Sequence, residues 1–232
     1  MSKMEAVLFD LDGTLVDTYD LILASHRYAT RTVLDRVISD ERLMSTVGTP
    51  LEDQMADYTD DPAVVAELCA VYREHNARVH DELIKSFDGV TGQLDDLRCA
   101  GVRMGIVTSK RADVARKATD LYGITPYMEC IVGGSDTPLH KPNPDPILKG
   151  CELMRIDPLR SAYVGDSPFD IMAGNAAGCK TLAVTWGMFA EDVLVAEHPV
   201  AVAHRMDEMA SALLASMALS RARAYFARTA EP

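Results

Sequence analysis

Positive charge is scarce in this chain, tryptophan occurs once, and no long apolar run is present; each shortage narrows the function. The 23 lysines and arginines face 35 aspartates and glutamates, a formal net charge of −12. Nucleic acids and anionic membranes are held by basic faces that release counterions, so neither is an expected partner. No apolar stretch approaches a membrane span or a secretory h-region with a small-residue cleavage site, so the cytoplasm is the expected compartment. Cys69, Cys99, Cys130, Cys151 and Cys179 are odd in number and lack CxxC spacing, which points away from a zinc site or a full disulfide framework. They are expected as small buried hydrophobes in a reducing compartment. His26, His75, His80, His140, His198 and His204 form no metal-ligand spacing. What is present, 232 residues that are 48% hydrophobic and 25% charged, suits one good-sized core or a core with a small insert.

Short apolar runs at residues 7–9, 104–107, 130–132, 162–164 and 182–184 alternate with helical patterns. That alternation predicts an α/β fold whose parallel sheet is covered on both faces. Ser167-Pro168, Asn143-Pro144 and Asp157-Pro158 each pair a capping side chain with a proline suited to a first helical position. Residues 17 to about 86 break the alternation and predict a helical insert. Leu21, Ala24 and Tyr28 fall on one face of its first helix, and Val64, Leu68, Val71 and Tyr72 form a stripe on a later helix opened by Asp61-Pro62. Residues 200–202 suggest a final edge strand, and residues 206 to about 228 a terminal helix.

The run Ala6-Val7-Leu8-Phe9 ends in Asp10-Leu11-Asp12-Gly13-Thr14. Two carboxylates one residue apart thus stand at the carboxyl end of a strand, where open α/β sheets bind ligands. In extended backbone they point the same way, and Gly13 lets the chain turn sharply behind them. One carboxylate can attack while the other carries a proton.

Three further motifs follow in order: Val107-Thr108-Ser109-Lys110, Lys141-Pro142-Asn143-Pro144 and Gly165-Asp166-Ser167-Pro168-Phe169-Asp170. With the first they resemble the four motifs of the haloacid dehalogenase-like (HAD) superfamily, from the first strand to about Trp186. The resemblance implies a Rossmann-like core, the HAD fold, over residues 1–16 and 87–232, with an inserted α-helical cap domain over 17–86. Within the superfamily the chain is similar to the phosphoglycolate phosphatase and inorganic pyrophosphatase-like branch, on residues 106–110, 141–146 and 174–178. It departs from that branch at Phe87-Asp88-Gly89-Val90, where relatives usually have proline before the glycine.

The expected activity is therefore hydrolysis of a small phosphomonoester, phosphoglycolate-like or related, through an aspartyl-phosphate. Inorganic pyrophosphatase and a sugar-phosphate mutase of the β-phosphoglucomutase type are the alternatives, and a non-enzymatic phosphate-binding protein ranks last. Asp10 is the expected nucleophile and Asp12 the general acid-base; dehalogenases of the superfamily lack an acid at that position. Thr108, then Ser109, would hold phosphoryl oxygens at a helix start, although either side chain could simply cap that helix. Lys141 would favour the ionised nucleophile and balance phosphoryl charge, serving both catalysis and phosphate binding. Lys110 has no assigned role. Asp10, Asp12 and Asp166 converge as oxygen ligands of the kind Mg²⁺ prefers, and the resemblance refines this to the side chains of Asp10 and Asp166 and the backbone carbonyl of Asp12. Asp170 either supports that site from behind or caps its own helix. The turn at residues 47–51, with Gly48 and Thr49, is by resemblance a specificity loop over the site and by sequence alone equally an ordinary interhelix turn. No basic residue lies in it, which weighs against a mutase. The expected partner is a small phosphorylated metabolite, and the chain is expected to act as a monomer or a homodimer.

Overall fold

Ala6, Val7, Leu8 and Phe9 are all fully buried, a condition met only by a strand at the centre of a sheet covered on both faces. In the computed structural model, which describes residues 4–216, that strand is the middle of the fold. In chain order, β1 (Ala6–Phe9) and β2 (Val16–Asp17) lead into α1 (Tyr19–Leu34), α2 (Asp40–Met44), α3 (Leu51–Ala56) and α4 (Pro62–Leu83). Then come β3 (Lys85–Ser86), α5 (Val90–Cys99), β4 (Arg103–Val107), α6 (Ala112–Leu121), β5 (Ile131–Val132) and α7 (Asp145–Met154). The chain continues through β6 (Ser161–Gly165), α8 (Pro168–Ala177), β7 (Lys180–Val184), α9 (Glu191–Val195) and β8 (Ala201–Ala203) to a helix over residues 206–216. The expected terminal helix is thus present as far as 216; its continuation to 228 lies outside the described residues.

Six strands form one parallel sheet in the order β5-β4-β1-β6-β7-β8. The chain first winds outward from β1 through β4 to β5 and then crosses to β6 on the other side. The winding direction therefore switches between β1 and β6, where a crevice opens at the carboxyl ends of the strands. Alternate residues feed the two faces. Val7, Phe9, Ile106, Val164 and Val184 enter one apolar layer; Leu8, Val107, Tyr163, Ile147 and Met154 enter the other.

The insert returns to the core where it left. β2 and β3 pair antiparallel, Val16 opposite Ser86 and Asp17 opposite Lys85, so both crossings share one two-stranded hinge. Between them α1 packs along α4 around Ala29, Met55, Leu68 and Cys69, with Val64, Val71 and Tyr72 against that cluster. The predicted stripe on α1 needs correction. Tyr28 is 41% exposed, stacked on His75 beneath Arg78, while Ile22, Ser25, His26 and Thr30 are buried with Leu21. Polar side chains fill that interface, so apolar spacing alone misplaces the face. Asn143 is likewise no cap: its amide donates to the His140 carbonyl, and α7 starts two residues later. Of the cysteines, Cys69, Cys151 and Cys179 are buried as expected, but Cys99 is exposed.

Candidate active site

Asp10 follows β1 and Asp166 follows β6, so the switch in winding sets the two carboxylates on either side of the crevice. Carboxylate oxygens of Asp10, Asp166 and Asp170 all lie within 4.8 Å of one another, and all three residues are buried. Lys141 reaches into this cluster from the loop before α7. Its Nζ donates to Asp10 Oδ1 at 2.8 Å, to Asp170 Oδ1 at 2.6 Å and to the Tyr163 hydroxyl at 3.2 Å. The ring of Tyr163 is anchored in turn by its hydroxyl, which donates to the Val107 carbonyl at 2.9 Å.

Burial pushes the Asp10 carboxyl up to about 7, Lys141 draws it back in part, and the charges of Asp170 and Asp12 add to the rise. Burial and the charges of Asp10 and Asp170 likewise raise Asp166 well above the carboxylate range. For Lys141, burial alone would favour the neutral amine, but the Asp10 and Asp170 carboxylates more than reverse it. With three buried carboxyl groups against one ammonium, Asp10 and Asp166 are thus driven toward their protonated forms, and a further cation would be needed to hold them ionised. The donors are all oxygens, which fits a hard divalent cation such as Mg²⁺.

Asp170 can be separated from the other two by its bonds. Oδ1 accepts from Lys141, with the Tyr163 hydroxyl 3.2 Å away; Oδ2 accepts from the Ser167 backbone at 3.1 Å and the Ser167 hydroxyl at 2.6 Å. Both oxygens are thus engaged within the protein. Asp170 therefore caps α8 in a reciprocal box with Ser167 and also fixes Lys141, joining both readings open from sequence. Asp166 is differently placed: Thr14 Oγ1 donates to Oδ1 at 3.0 Å and the Met188 backbone N–H to Oδ2 at 2.8 Å. A Cβ on Gly13 or on Gly187 would come within 2.2 Å of Asp166 Oδ2, so both glycines leave room for that carboxylate.

Asp12 lines the same cavity as Asp10 and Asp166, and its Oδ1 lies 2.5 Å from Lys110 Nζ. The role left open for Lys110 is thus contact with Asp12. Neither Thr108 nor Ser109 caps α6, since Arg111 holds the cap position without a side-chain bond. Thr108 is buried and its Oγ1 accepts from the Lys110 backbone at 3.2 Å, leaving its hydroxyl hydrogen for another partner. The Ser109 hydroxyl donates across the crevice to the Gly48 carbonyl at 2.6 Å. That bond brings the loop at 47–51 onto the core, and Gly48 at φ 105° takes a conformation open mainly to glycine. A Cβ there would meet Ser167 Oγ at 3.0 Å. Gln54 ties the same loop to the interior of the insert: its amide donates to the Thr49 carbonyl at 2.7 Å, and its Oε1 lies 3.0 Å from His26 Nε2. Trp186 donates through Nε1 to the Thr14 carbonyl at 3.1 Å and meets Phe87 edge-on, joining the first motif to the hinge.

Between insert and core lies a cavity of about 710 Å³ that contains Asp10, Asp12, Thr108, Ser109 and Asp166 at one end and Gly48 and Thr49 along its wall. Residues 7–184 match the family described as haloacid dehalogenase-like hydrolase. The chain belongs to this family. It is 39% identical over 183 residues to a "Putative pyrophosphatase PpaX" of Clostridium perfringens, covering 79% of this chain and 85% of that one. It is 32% identical over 207 residues to the pyrophosphatase PpaX of Bacillus velezensis, covering 89% and 95%. Among solved structures, a predicted phosphatase from Clostridium acetobutylicum superposes with a TM-score of 0.85 at 25% identity, covering 92% of this chain and all of that one. As a HAD-like hydrolase the chain is an enzyme with a Rossmann-like core, and among the described residues no helix is long and apolar enough to cross a membrane.

Among the cavity residues that were not singled out from sequence are Gln54, Lys117 and, on α4, Arg73, Asn76 and His80. The signal of the last two is faint but present: Leu68, Tyr72, Asn76 and His80 recur every four residues, so the apolar stripe of α4 turns polar where it passes the cavity.

Proposed function

We propose that this enzyme hydrolyses a small phosphomonoester with Mg²⁺, by way of a phosphoryl group carried on Asp10. The observation that carries the reading is the Lys141 ammonium 2.8 Å from Asp10 within a buried oxygen cluster, at the end of a cavity large enough for an organic leaving group. An oxygen of Asp10 attacks phosphorus and forms an acyl phosphate as the bond to the leaving oxygen breaks. Asp12, held by Lys110, gives that oxygen its proton and then takes a proton from the water that attacks the same phosphorus, releasing phosphate and restoring Asp10. Lys141, its three N–H groups engaged by Asp10, Asp170 and Tyr163, would act on the phosphoryl group through its charge, and the Thr108 hydroxyl would donate to a phosphoryl oxygen. Asp10 and Asp166, with the Asp12 carbonyl, would hold Mg²⁺, which when bound supplies charge neutralisation at the phosphoryl group. Gly48 and Thr49 would face the leaving group.

Pyrophosphate is the second reading, favoured by the names of the relatives that match this chain. The test is phosphate release from phosphoglycolate, pyrophosphate, sugar phosphates and an aryl phosphate, with and without Mg²⁺, beside Asp10→Asn. Release that requires both Mg²⁺ and Asp10 is expected. Unchanged release in a clean Asp10→Asn preparation refutes the mechanism.

A further inference from the structure

Tyr163 is the largest fully buried side chain among the described residues, and it stands in the middle of β6 in a layer with Leu8, Val107, Ile147 and Met154. A phenylalanine would fill that layer as well, without the cost of taking a hydroxyl out of water. The hydroxyl is matched at the layer's edge. Its single hydrogen goes to the Val107 carbonyl at 2.9 Å, which leaves the oxygen to accept from Lys141 Nζ at 3.2 Å. The ring beneath is held closely from α8, where a Cβ on Gly174 would come within 3.2 Å of Tyr163 Cβ.

An ammonium has three hydrogens, and those of Lys141 meet acceptors on three different elements: Asp10 after β1, Asp170 in α8 and Tyr163 in β6. Two carboxylates alone would hold the ammonium on a line, about which it could pivot at the end of its flexible stem. The Tyr163 oxygen is 3.2 Å from Nζ and 3.2 Å from Asp170 Oδ1, while Nζ is 2.6 Å from that Oδ1. It therefore stands to one side of the Lys141–Asp170 bond and stops the pivot. Direction matters here, because Lys141 is the charge beside the attacking carboxylate, and small misplacements at a reacting centre cost rate steeply. Tyr163 itself is fully buried behind the cavity wall that Asp10 and Thr108 form, so it acts without touching a substrate.

We propose that Tyr163 is a positioning residue for phosphoryl transfer, its hydroxyl fixing the direction in which Lys141 presents its charge to Asp10 and the phosphoryl group. This rests on the phosphatase reading and adds to the same site a residue that works only through Lys141.

The experiment measures kcat and KM with Mg²⁺ for p-nitrophenyl phosphate and for the fastest alkyl phosphate, in wild type, Tyr163→Phe, Tyr163→Met, Lys141→Met and the Tyr163→Phe, Lys141→Met double variant, with the melting temperature of each. Tyr163→Phe keeps the ring and drops the hydroxyl. Its kcat is expected to fall about tenfold on both substrates while KM stays within about twofold, because the hydroxyl serves the attacking end and not the leaving group. Tyr163→Met packs differently but also lacks the hydroxyl, and is expected to lose at least as much. Added to Lys141→Met, Tyr163→Phe is expected to change kcat by less than about twofold, since the group it acts through is gone. A role in packing alone would spare Tyr163→Phe, or would give losses that add to those of Lys141→Met. A folded Tyr163→Phe protein with kcat within about twofold of wild type overturns the proposal, as does the same tenfold loss with Lys141 absent. Either variant that folds decides the matter, and failure of both to fold overturns it, the hydroxyl then serving the fold. Aryl phosphate hydrolysis that depends on Asp10 leaves the phosphatase reading standing however Tyr163 behaves; no Asp10-dependent release from any compound overturns both.

Discussion

Replacing Lys141 by methionine keeps most of the side chain's length and removes its charge. The ammonium it removes is the cation between Asp10 and Asp170, at 2.8 and 2.6 Å, with both carboxylates almost wholly out of water. Taking one partner from a buried pair leaves the other charge uncompensated, which costs about 3–5 kcal/mol. For a domain of this size each kcal/mol moves the melting temperature by roughly 2–4 °C, so Lys141→Met is expected to melt about 6–20 °C lower at pH 8 in a chelating buffer. The loss should shrink when Asp10→Asn is combined with it, because the second change removes one stranded carboxylate; coupling of about 1–3 kcal/mol is expected between the two. Turnover should fall on the order of 10²–10³-fold, the usual effect of losing a charge-balancing donor at a reacting centre. Scanning calorimetry of the two single variants and the double variant, beside phosphate release, reads all three quantities. A Lys141→Met protein that melts within about 2 °C of wild type would refute the view that this lysine balances the buried acids.

His26, buried in the insert with its ring pushed down from 6.5 to about 4 by burial, the Gln54 bond opposing, should make stability depend on pH. A depressed histidine binds its proton more readily when unfolded, so the stability is full above pH 6.5 and falls by about 3 kcal/mol as the pH drops toward 4. Urea midpoints from pH 7.5 to 4.5 should therefore fall more steeply in wild type than in His26→Phe, and equal slopes would sink the assignment. Gly187→Ala places a methyl where Asp166 Oδ2 lies within 2.2 Å, so the thermal shift on adding Mg²⁺ should drop severalfold; an undiminished shift would remove Asp166 from metal binding. Asp12→Ala should slow alkyl phosphates at least tenfold more than p-nitrophenyl phosphate, whose leaving oxygen needs little protonation; equal losses would take Asp12 out of the general-acid role.

The strand ends and their motifs were legible because each is local: a short apolar run, a polar residue at its carboxyl end, and a glycine or proline that turns the chain. Residues that act across the fold left weaker traces. Lys110 meets Asp12 from 98 residues away, and nothing in the spacing of either announces the pair. Tyr163 sits in the middle of β6 as one more apolar strand residue, although its hydroxyl joins Val107, Lys141 and Asp170. The insert was harder still. Its first helix packs through polar as well as apolar residues, so Ser25, His26 and Thr30 fill an interior face that hydrophobic spacing assigns partly to Tyr28. A helix that turns a polar stripe inward is binding something at that stripe or satisfying itself there, and the sequence pattern is the same for both.

The net charge of −12 gives the site its logic. Among the described residues, Asp10, Asp12, Asp166 and Asp170 meet two lysines, Lys110 and Lys141, and burial with mutual repulsion pushes Asp10 and Asp166 toward their protonated forms. A divalent cation, were it bound there, would displace those protons and leave the carboxylates ionised around it. On that reading an acidic enzyme would take an anionic substrate without a basic surface, the cation offsetting the carboxylates. The lysines and arginines that line the cavity, Arg73, Lys110, Arg111 and Lys117, are each paired with an acid of the chain.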